Sequence, residues 1–199
     1  MKNKNFDDTL NDKILGINTV GIDKSASDDN HSPYEPTAYS VLDRLVESGY
    51  VGAEDTLVDF GCGKGRVPIY IAKKTGCAAI GVDMEAKFIE AARENADAAG
   101  VEVSFMCAMA EQMPISEGMN RFYFFNPFSY EIFRKLLSNI VDSYYENVRD
   151  MLLIFYYPSD EYVAGLMTTD EVMFVDDIDC RDLFPGKDER EKILIFQVT

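Results

Sequence analysis

Apolar residues along this chain fall into short runs separated by stretches of helical period, and that alternation predicts the fold. Val41, Leu42, Leu45 and Val46 recur at helical spacing, so residues 36–48 should form an amphipathic helix. Pro36 suits its first turn, where a missing N–H costs nothing. Thr56-Leu57-Val58-Asp59-Phe60 reads as a short buried strand, Gly61 to Gly65 as a turn, and residues 66–75 as a helix ended by Gly76. A second strand, Ala78-Ala79-Ile80-Gly81-Val82, leads to a second helix over 85–99 that Gly100 stops. Residues 101–106 make a third strand, 108–116 a loop and 121–125 a fourth strand. Ser129 should cap a helix with Phe133, Leu136, Leu137, Ile140, Val141 and Tyr144 on its core face, before a fifth strand over 151–156.

Strands separated by helices of this length require parallel crossovers, so the fold class is α/β: a doubly wound, mostly parallel sheet with helices on both faces. The tail breaks the rhythm. Residues 172–175 and 192–198 are strand-like and no long helix fits between them, so they should close a seven-stranded sheet as an antiparallel hairpin. Residues 1–30 are polar and read as a flexible N-terminal arm, although Ile14-Leu15-Gly16-Ile17 and Val20-Gly21-Ile22 are apolar enough to dock. Residues 31–199 then form one domain.

Composition narrows the function. The chain has 199 residues, 47% of them hydrophobic, which suits one full core. No apolar run is long enough to cross a bilayer and no signal peptide opens the chain, so a cytoplasmic protein is expected. Four scattered cysteines and one histidine, His31, argue against a metal site. With 19 basic and 35 acidic residues the net charge is -16, which repels phosphate backbones. Nucleic acid is therefore disfavoured as a partner, and a protein or small-molecule substrate is favoured; the acidity would equally serve solubility.

The chemistry concentrates in one turn. A strand ending at Asp59-Phe60 runs into Gly61-Cys62-Gly63-Lys64-Gly65, which opens a helix. Glycines there let the backbone approach a ligand closely, and free N–H groups at the helix start face it. The third glycine follows the second by two positions, where a dinucleotide fingerprint needs three and this chain has Arg66. Asp83 ends the second strand, beside the turn, where a carboxylate can take both hydroxyls of a ribose. The alternative is an acidic helix cap.

These segments resemble the class I S-adenosylmethionine-dependent methyltransferases. Val58 to Gly65 is similar to their first motif, Gly81-Val82-Asp83-Met84 to their second and Phe122 to Phe128 to their fourth. The resemblance implies S-adenosylmethionine as cofactor, with Asp59 and the Gly61 backbone at its methionine end and Gly63 and Gly65 also at the cofactor. Asp83 would hold the ribose and Met84 would pack on adenine. Met109 stands where the family usually has an aspartate, so backbone around Ala110, or Glu111, would have to meet the adenine amino group. Tyr34-Glu35-Pro36-Thr37-Ala38-Tyr39 resembles a helix entry in lysine and other amine methylators, in which Tyr34, Thr37 and Tyr39 would close over the cofactor. Taken alone it is a helix N-terminus with aromatic packing.

Asn126-Pro127-Phe128-Ser129 resembles the asparagine-proline-proline-aromatic loop of nitrogen methyltransferases, without the second proline. Asn126 would orient a nitrogen nucleophile and Phe128 would stack on it; a rigid strand end is the plainer reading. Tyr34, Tyr39, Phe128, Tyr156 and Tyr157 are candidates for the acceptor pocket, and Glu35 and Glu111 for the proton acceptor. A cofactor-binding sensor or partner subunit without catalysis is the alternative. A nucleotide-sugar or nicotinamide enzyme is disfavoured by the glycine spacing and the hairpin.

Overall fold

Residues 4–25, 28–186 and 188–199 are described by the computed structural model. The chain begins with α1 (Lys4–Leu15) and, after an extended segment, α2 (Tyr39–Ser48). Then come β1 (Thr56–Phe60), α3 (Arg66–Thr75), β2 (Ala78–Asp83), α4 (Ala86–Ala99), β3 (Ser104–Cys107) and β4 (Arg121–Phe124). The remainder is α5 (Tyr130–Glu146), β5 (Leu152–Tyr156), α6 (Asp160–Leu166), β6 (Val172–Asp179) and β7 (Lys192–Val198). The strands form one sheet in the order β3-β2-β1-β4-β5-β7-β6. The first five run parallel and β7 is antiparallel to both its neighbours, which is the expected seven-stranded α/β sheet with a terminal hairpin.

Each central strand is buried on both faces, so alternate residues feed two cores. Val58, Phe60, Phe122 and Phe124 pack with Phe133, Leu136 and Ile140 of α5. Leu57, Tyr123 and Ile154 join the core on the other face, with Leu42 of α2 and Ile69 of α3. Phe60, Phe124 and Phe155 stack across three adjacent strands, with centroids 5.5 and 4.9 Å apart. Burying each such ring contributes about 2–3 kcal/mol. These cores fix the carboxyl ends of β1, β2, β4 and β5, where an open α/β sheet binds its ligand.

Several local features differ from the pattern-based expectation. The arm expected to be flexible is ordered over its described part; Met1, Lys2, Asn3, Ala26 and Ser27 lie outside the described residues. Arg66, 2% exposed, needs anionic partners, and Asp8 and Asp12 supply them at 3.0 and 3.4 Å. Asp12 also accepts hydrogen bonds from the Thr19 and Val20 N–H groups and the Tyr39 hydroxyl. Pro36 lies ahead of α2, which starts at Tyr39, because Tyr34 is still extended and pairs with Asp23. Ser129 does sit at the N-cap of α5, yet its buried hydroxyl has no partner, and its N–H donates to Asn30 instead. Ser159 caps α6, a helix that periodicity did not predict because it has only 7 residues. Among the described residues, no helix is long and apolar enough to cross a membrane.

Candidate functional site

The glycine turn sits at the carboxyl end of β1 and is built to be approached. Gly61 and Gly63 have φ of +79° and +50°. A Cβ at Gly61 would lie 2.5 Å from Pro127, and one at Gly63 only 2.3 Å from the Tyr34 ring. Only glycine therefore lets these two walls close on the turn. The Asp83 carboxylate accepts the N–H of Gly63 and the N–H of Glu85, both at 2.9 Å. It ties the turn to the end of β2, so the helix-entry role and a ligand-facing position coexist.

Asp59 is the electrostatic oddity. It is 3% exposed, and its carboxylate takes no hydrogen bond from the described residues. Burial pushes its pKa well above the carboxylate range, and the charge of Asp83 adds to the shift. Asp83 is itself pushed up, chiefly by burial. A buried carboxylate without a donor is costly unless a ligand supplies one.

A strap crosses this cleft. The N–H of Ser32 donates to Pro127 at 3.1 Å, that of Ser129 to Asn30 at 2.7 Å, and His31 pairs with Phe128 between them. Tyr34 is held at its far end through its hydroxyl, which donates to the Thr19 carbonyl. The strap divides the cleft into a cavity of about 90 Å³ toward Asp59, Thr37 and Phe125 and one of about 30 Å³ toward Met109, Ala110, Glu111 and Phe128. His31, Gly61, Asp83 and Met84 border both.

Beyond Phe125 lies a third cavity, of about 300 Å³, which shares Ser32, Pro33, Glu35 and Phe125 with the first. Its remaining walls are Asn126, Tyr156, Tyr157 and Glu191. Asn126 and Tyr157, which follow β4 and β5, have positive φ of 41° and 50° without being glycine. Such backbone is strained and persists where its surroundings dictate it. Here the Asn126 amide dictates it: its Nδ2 donates to the Tyr157 carbonyl at 2.6 Å and its Oδ1 accepts the Ser159 N–H at 3.1 Å.

The structure thus brings together Asp59, Gly61, Asp83, Met84, Tyr34 and Thr37 on one cleft, with Ala110 and Glu111 at its far end. Gly63 and Gly65 shape the turn rather than line it; Gly65 is the N-cap of α3. Tyr39 is not in the cleft: its hydroxyl goes to Asp12 at 2.6 Å and it packs on Tyr70 in the core. Phe128 lies on the Met109 side rather than beside the third cavity, because its pairing with His31 fixes the loop there. Glu111 lies on that same side, away from the third cavity. Asn126 does reach the third cavity, but both ends of its amide already serve the loops. Three residues escaped the sequence reading. Arg66, considered there only as a missing glycine, is the buried anchor of the N-terminal segment, and the aspartates of that segment were a legible signal for it. Phe125 and Glu191 acquire meaning only through packing.

Comparisons with known proteins bear on the fold and on the central segment of the chain. The methyltransferase-domain family matches residues 57–148. Ribosomal protein L11 methyltransferase of Erwinia tasmaniensis is 39% identical over 62 residues, 31% of this chain and 21% of that protein. A protein-lysine N-methyltransferase of Saccharolobus islandicus is 38% identical over 72 residues, 36% of this chain and 45% of that one. The chain thus matches under half the length of either relative. Among solved structures, an RNA methyltransferase from Salinibacter ruber in complex with S-adenosyl-L-homocysteine aligns with a TM-score of 0.60 at 23% identity, over 82% of this chain and 94% of that one. Magnesium protoporphyrin IX methyltransferase from Synechocystis, with bound S-adenosylmethionine, aligns at 0.57 and 18% identity, over 81% and 77%. These two likenesses concern the fold. An RNA methyltransferase among them does not fit an expectation that sets nucleic acid aside.

The fold is that of the class I S-adenosylmethionine-dependent methyltransferases, and the segment 57–148 matches the methyltransferase-domain family. The residues present fit that cofactor in kind. Asp59 lacks the cationic donor that an α-ammonium group provides, and Asp83 retains lone pairs for ribose hydroxyls. Met84, Met109 and Phe128 offer apolar surface for a base. Cavities of about 90 and 30 Å³ are smaller than the 300–1,000 Å³ typical of ligand sites.

Proposed function

We infer that the protein transfers a methyl group to a nitrogen acceptor on a protein side chain or a small molecule. The observation that carries this reading is the contiguity of the two cavities. Phe125 and Glu35 border both the Asp59 cavity and the 300 Å³ cavity, so an acceptor in the second faces the methionine end of the cleft. The names of the relatives support a protein acceptor, and a net charge of -16 favours a basic one.

S-adenosylmethionine supplies an activated methyl on a sulfonium, so the chain need only align, bind and exclude water. Asp59 would hold the amino-acid end of the cofactor and Asp83 its ribose hydroxyls. Tyr34 and Pro127 close against the glycine turn, and the strap shields the cleft from solvent. Asn126 acts as a positioning residue, holding Tyr157 and the loop after β4 in register. The nitrogen must offer a lone pair, so an ammonium first sheds one proton; Glu35, common to both cavities, is the acceptor we favour.

Calorimetry with S-adenosylhomocysteine should give binding in the micromolar range, and labelled S-adenosylmethionine should mark an acceptor among lysate proteins or metabolites. Binding without transfer to any acceptor would favour the sensor alternative. Label in RNA would overturn the acceptor class while leaving the methyltransferase.

A further inference from the structure

The third cavity has an unusual chemical inventory. Phe125, Tyr156 and Tyr157 gather around it, with centroids 4.7 Å apart for Phe125 and Tyr156, 6.2 Å for the two tyrosines and 6.4 Å for Phe125 and Tyr157. Two carboxylates border it, Glu35 from the strap side and Glu191 from the residue preceding β7. None of the described residues that line it is basic.

Most of its side-chain donors are already committed. The Tyr156 hydroxyl donates to Glu191 at 2.6 Å, the Tyr157 hydroxyl to Asp188, and the Asn126 amide to the Tyr157 carbonyl. The Ser32 hydroxyl is what remains. Spare acceptors, by contrast, are plentiful: a carboxylate offers about four lone-pair sites, and Tyr156 takes one of those on Glu191. A ligand rich in acceptors, such as a carbonyl, a phosphate or a nucleobase edge, finds few donors and two negative charges. A positively charged ligand with several N–H donors finds acceptors and ring faces, the combination that attracts ammonium groups. The protein already uses one of these rings in that way, with Arg190 lying 4.2 Å over Tyr157 and paired with Asp188.

We propose that the cavity bordered by Phe125, Tyr156, Glu35 and Glu191 selects an alkylammonium acceptor, with Glu191 as its specificity-determining charge. This rests on the nitrogen-acceptor reading above and narrows it. Amides, ring nitrogens and nucleobases are disfavoured; an unbranched primary amine is favoured, whether free or as a lysine side chain. Glu191 is suited to the task because the Tyr156 hydroxyl, on the sheet itself, fixes one of its oxygens and leaves the other for the ligand.

The test uses the whole chain saturated with S-adenosylhomocysteine and follows n-butylammonium and a neutral alcohol of similar length, n-pentanol, by NMR titration. The ammonium should bind at least tenfold more tightly, with shifts at Phe125, Tyr156 and Tyr157. Glu191→Gln keeps an oxygen for Tyr156 but removes the charge. It should weaken butylammonium at least fivefold and leave pentanol and S-adenosylhomocysteine unchanged. Tyr156→Phe, which keeps the carboxylate, should retain the preference for ammonium. A lysine flanked by N-acetyl and N-methylamide groups distinguishes the two sources: binding at least as tight as butylammonium identifies a protein side chain, weaker binding a free amine. Equal affinity for butylammonium and pentanol, or indifference to Glu191→Gln, would overturn the proposal with the cofactor reading intact. Failure to bind S-adenosylhomocysteine would instead count against the reading on which it rests.

Discussion

The two ends of the cleft are made in opposite ways. The cofactor end uses residues 59–65 and 83–85, a single strand–turn–helix and the strand beside it, with two carboxylates facing the cleft and the N–H groups of the turn tied to Val82 and Asp83. The acceptor end draws on the strap, the loops after β4 and β5, and the residue before β7, and its walls are side chains. A turn set by local spacing tolerates change in the rest of the fold. A side-chain pocket gathered from distant segments can change its chemistry without disturbing the sheet. The difference suggests that the cofactor end is the fixed part and the acceptor end the adaptable one.

The largest expected effect tests whether the N-terminal segment belongs to the fixed part. Arg66 starts the helix after the glycine turn and holds Asp8 and Asp12. Arg66→Leu leaves two buried carboxylates facing each other without a counterion, and breaking a buried pair in this way costs about 3–5 kcal/mol. Urea denaturation should show that loss, and proteolysis should now cut the segment before α2. A loss under about 1 kcal/mol would mean that the segment adds nothing to the cofactor end.

Next comes Asp59, where stability and binding should move in opposite directions. Its carboxyl is raised by burial and by Asp83. Such a group costs the free protein nothing at low pH, and stability falls as pH rises through its folded value. Asp59→Asn should therefore raise the melting temperature at neutral pH. A cationic ligand group favours the ionised form, so S-adenosylhomocysteine should bind more tightly as pH rises through the same window. In Asp59→Asn that slope should flatten to what Asp83 contributes and affinity should fall about 30-fold, the equivalent of roughly 2 kcal/mol for a charge-assisted hydrogen bond. Asp83→Ala should cost at least tenfold, with a flatter pH dependence. Unchanged affinity in the Asp83 variant, measured by calorimetry, would reduce Asp83 to the cap of the Gly63 and Glu85 N–H groups.

The contrast also accounts for what the sequence revealed. The strands and the terminal hairpin were readable because each strand is a short apolar run bounded by glycine or a helical period. Asp59, Gly61 and Asp83 were readable because their spacing is local. Glu191 could not be found in that way: it lies 35 residues from Tyr156, and only the antiparallel pairing of β5 with β7 brings them together. Phe128 was assigned to the acceptor side from its place after β4, yet its pairing with His31 turns the loop toward the adenine side. Tyr39 was assigned to the cleft with its neighbours Tyr34 and Thr37, but α2 begins there and turns it into the core. In each case a contact between distant segments decided the outcome.

Asn126 should give the smallest effect on cofactor binding and the cleanest division between the two ends. Its amide joins the loops after β4 and β5 by bonds to Tyr157 and Ser159, and its φ of 41° suits asparagine or glycine. Asn126→Gly keeps the backbone conformation and removes both bonds, so strain is not introduced along with the lost amide. Because no Asn126 bond reaches Asp59, Asp83 or the glycine turn, S-adenosylhomocysteine affinity should stay within about threefold. Tyr157, no longer held, should let the acceptor cavity loosen, slowing methyl transfer by roughly tenfold through lost alignment. The slowing should appear in kcat at saturating acceptor, with the pH profile unchanged, since Asn126 holds no proton in this scheme. Asn126→Asp retains the acceptor for the Ser159 N–H and should recover part of the rate. If Asn126→Gly weakens cofactor affinity and transfer in parallel, the loop belongs to the cofactor wall, and the division between a fixed and an adaptable end does not hold at β4.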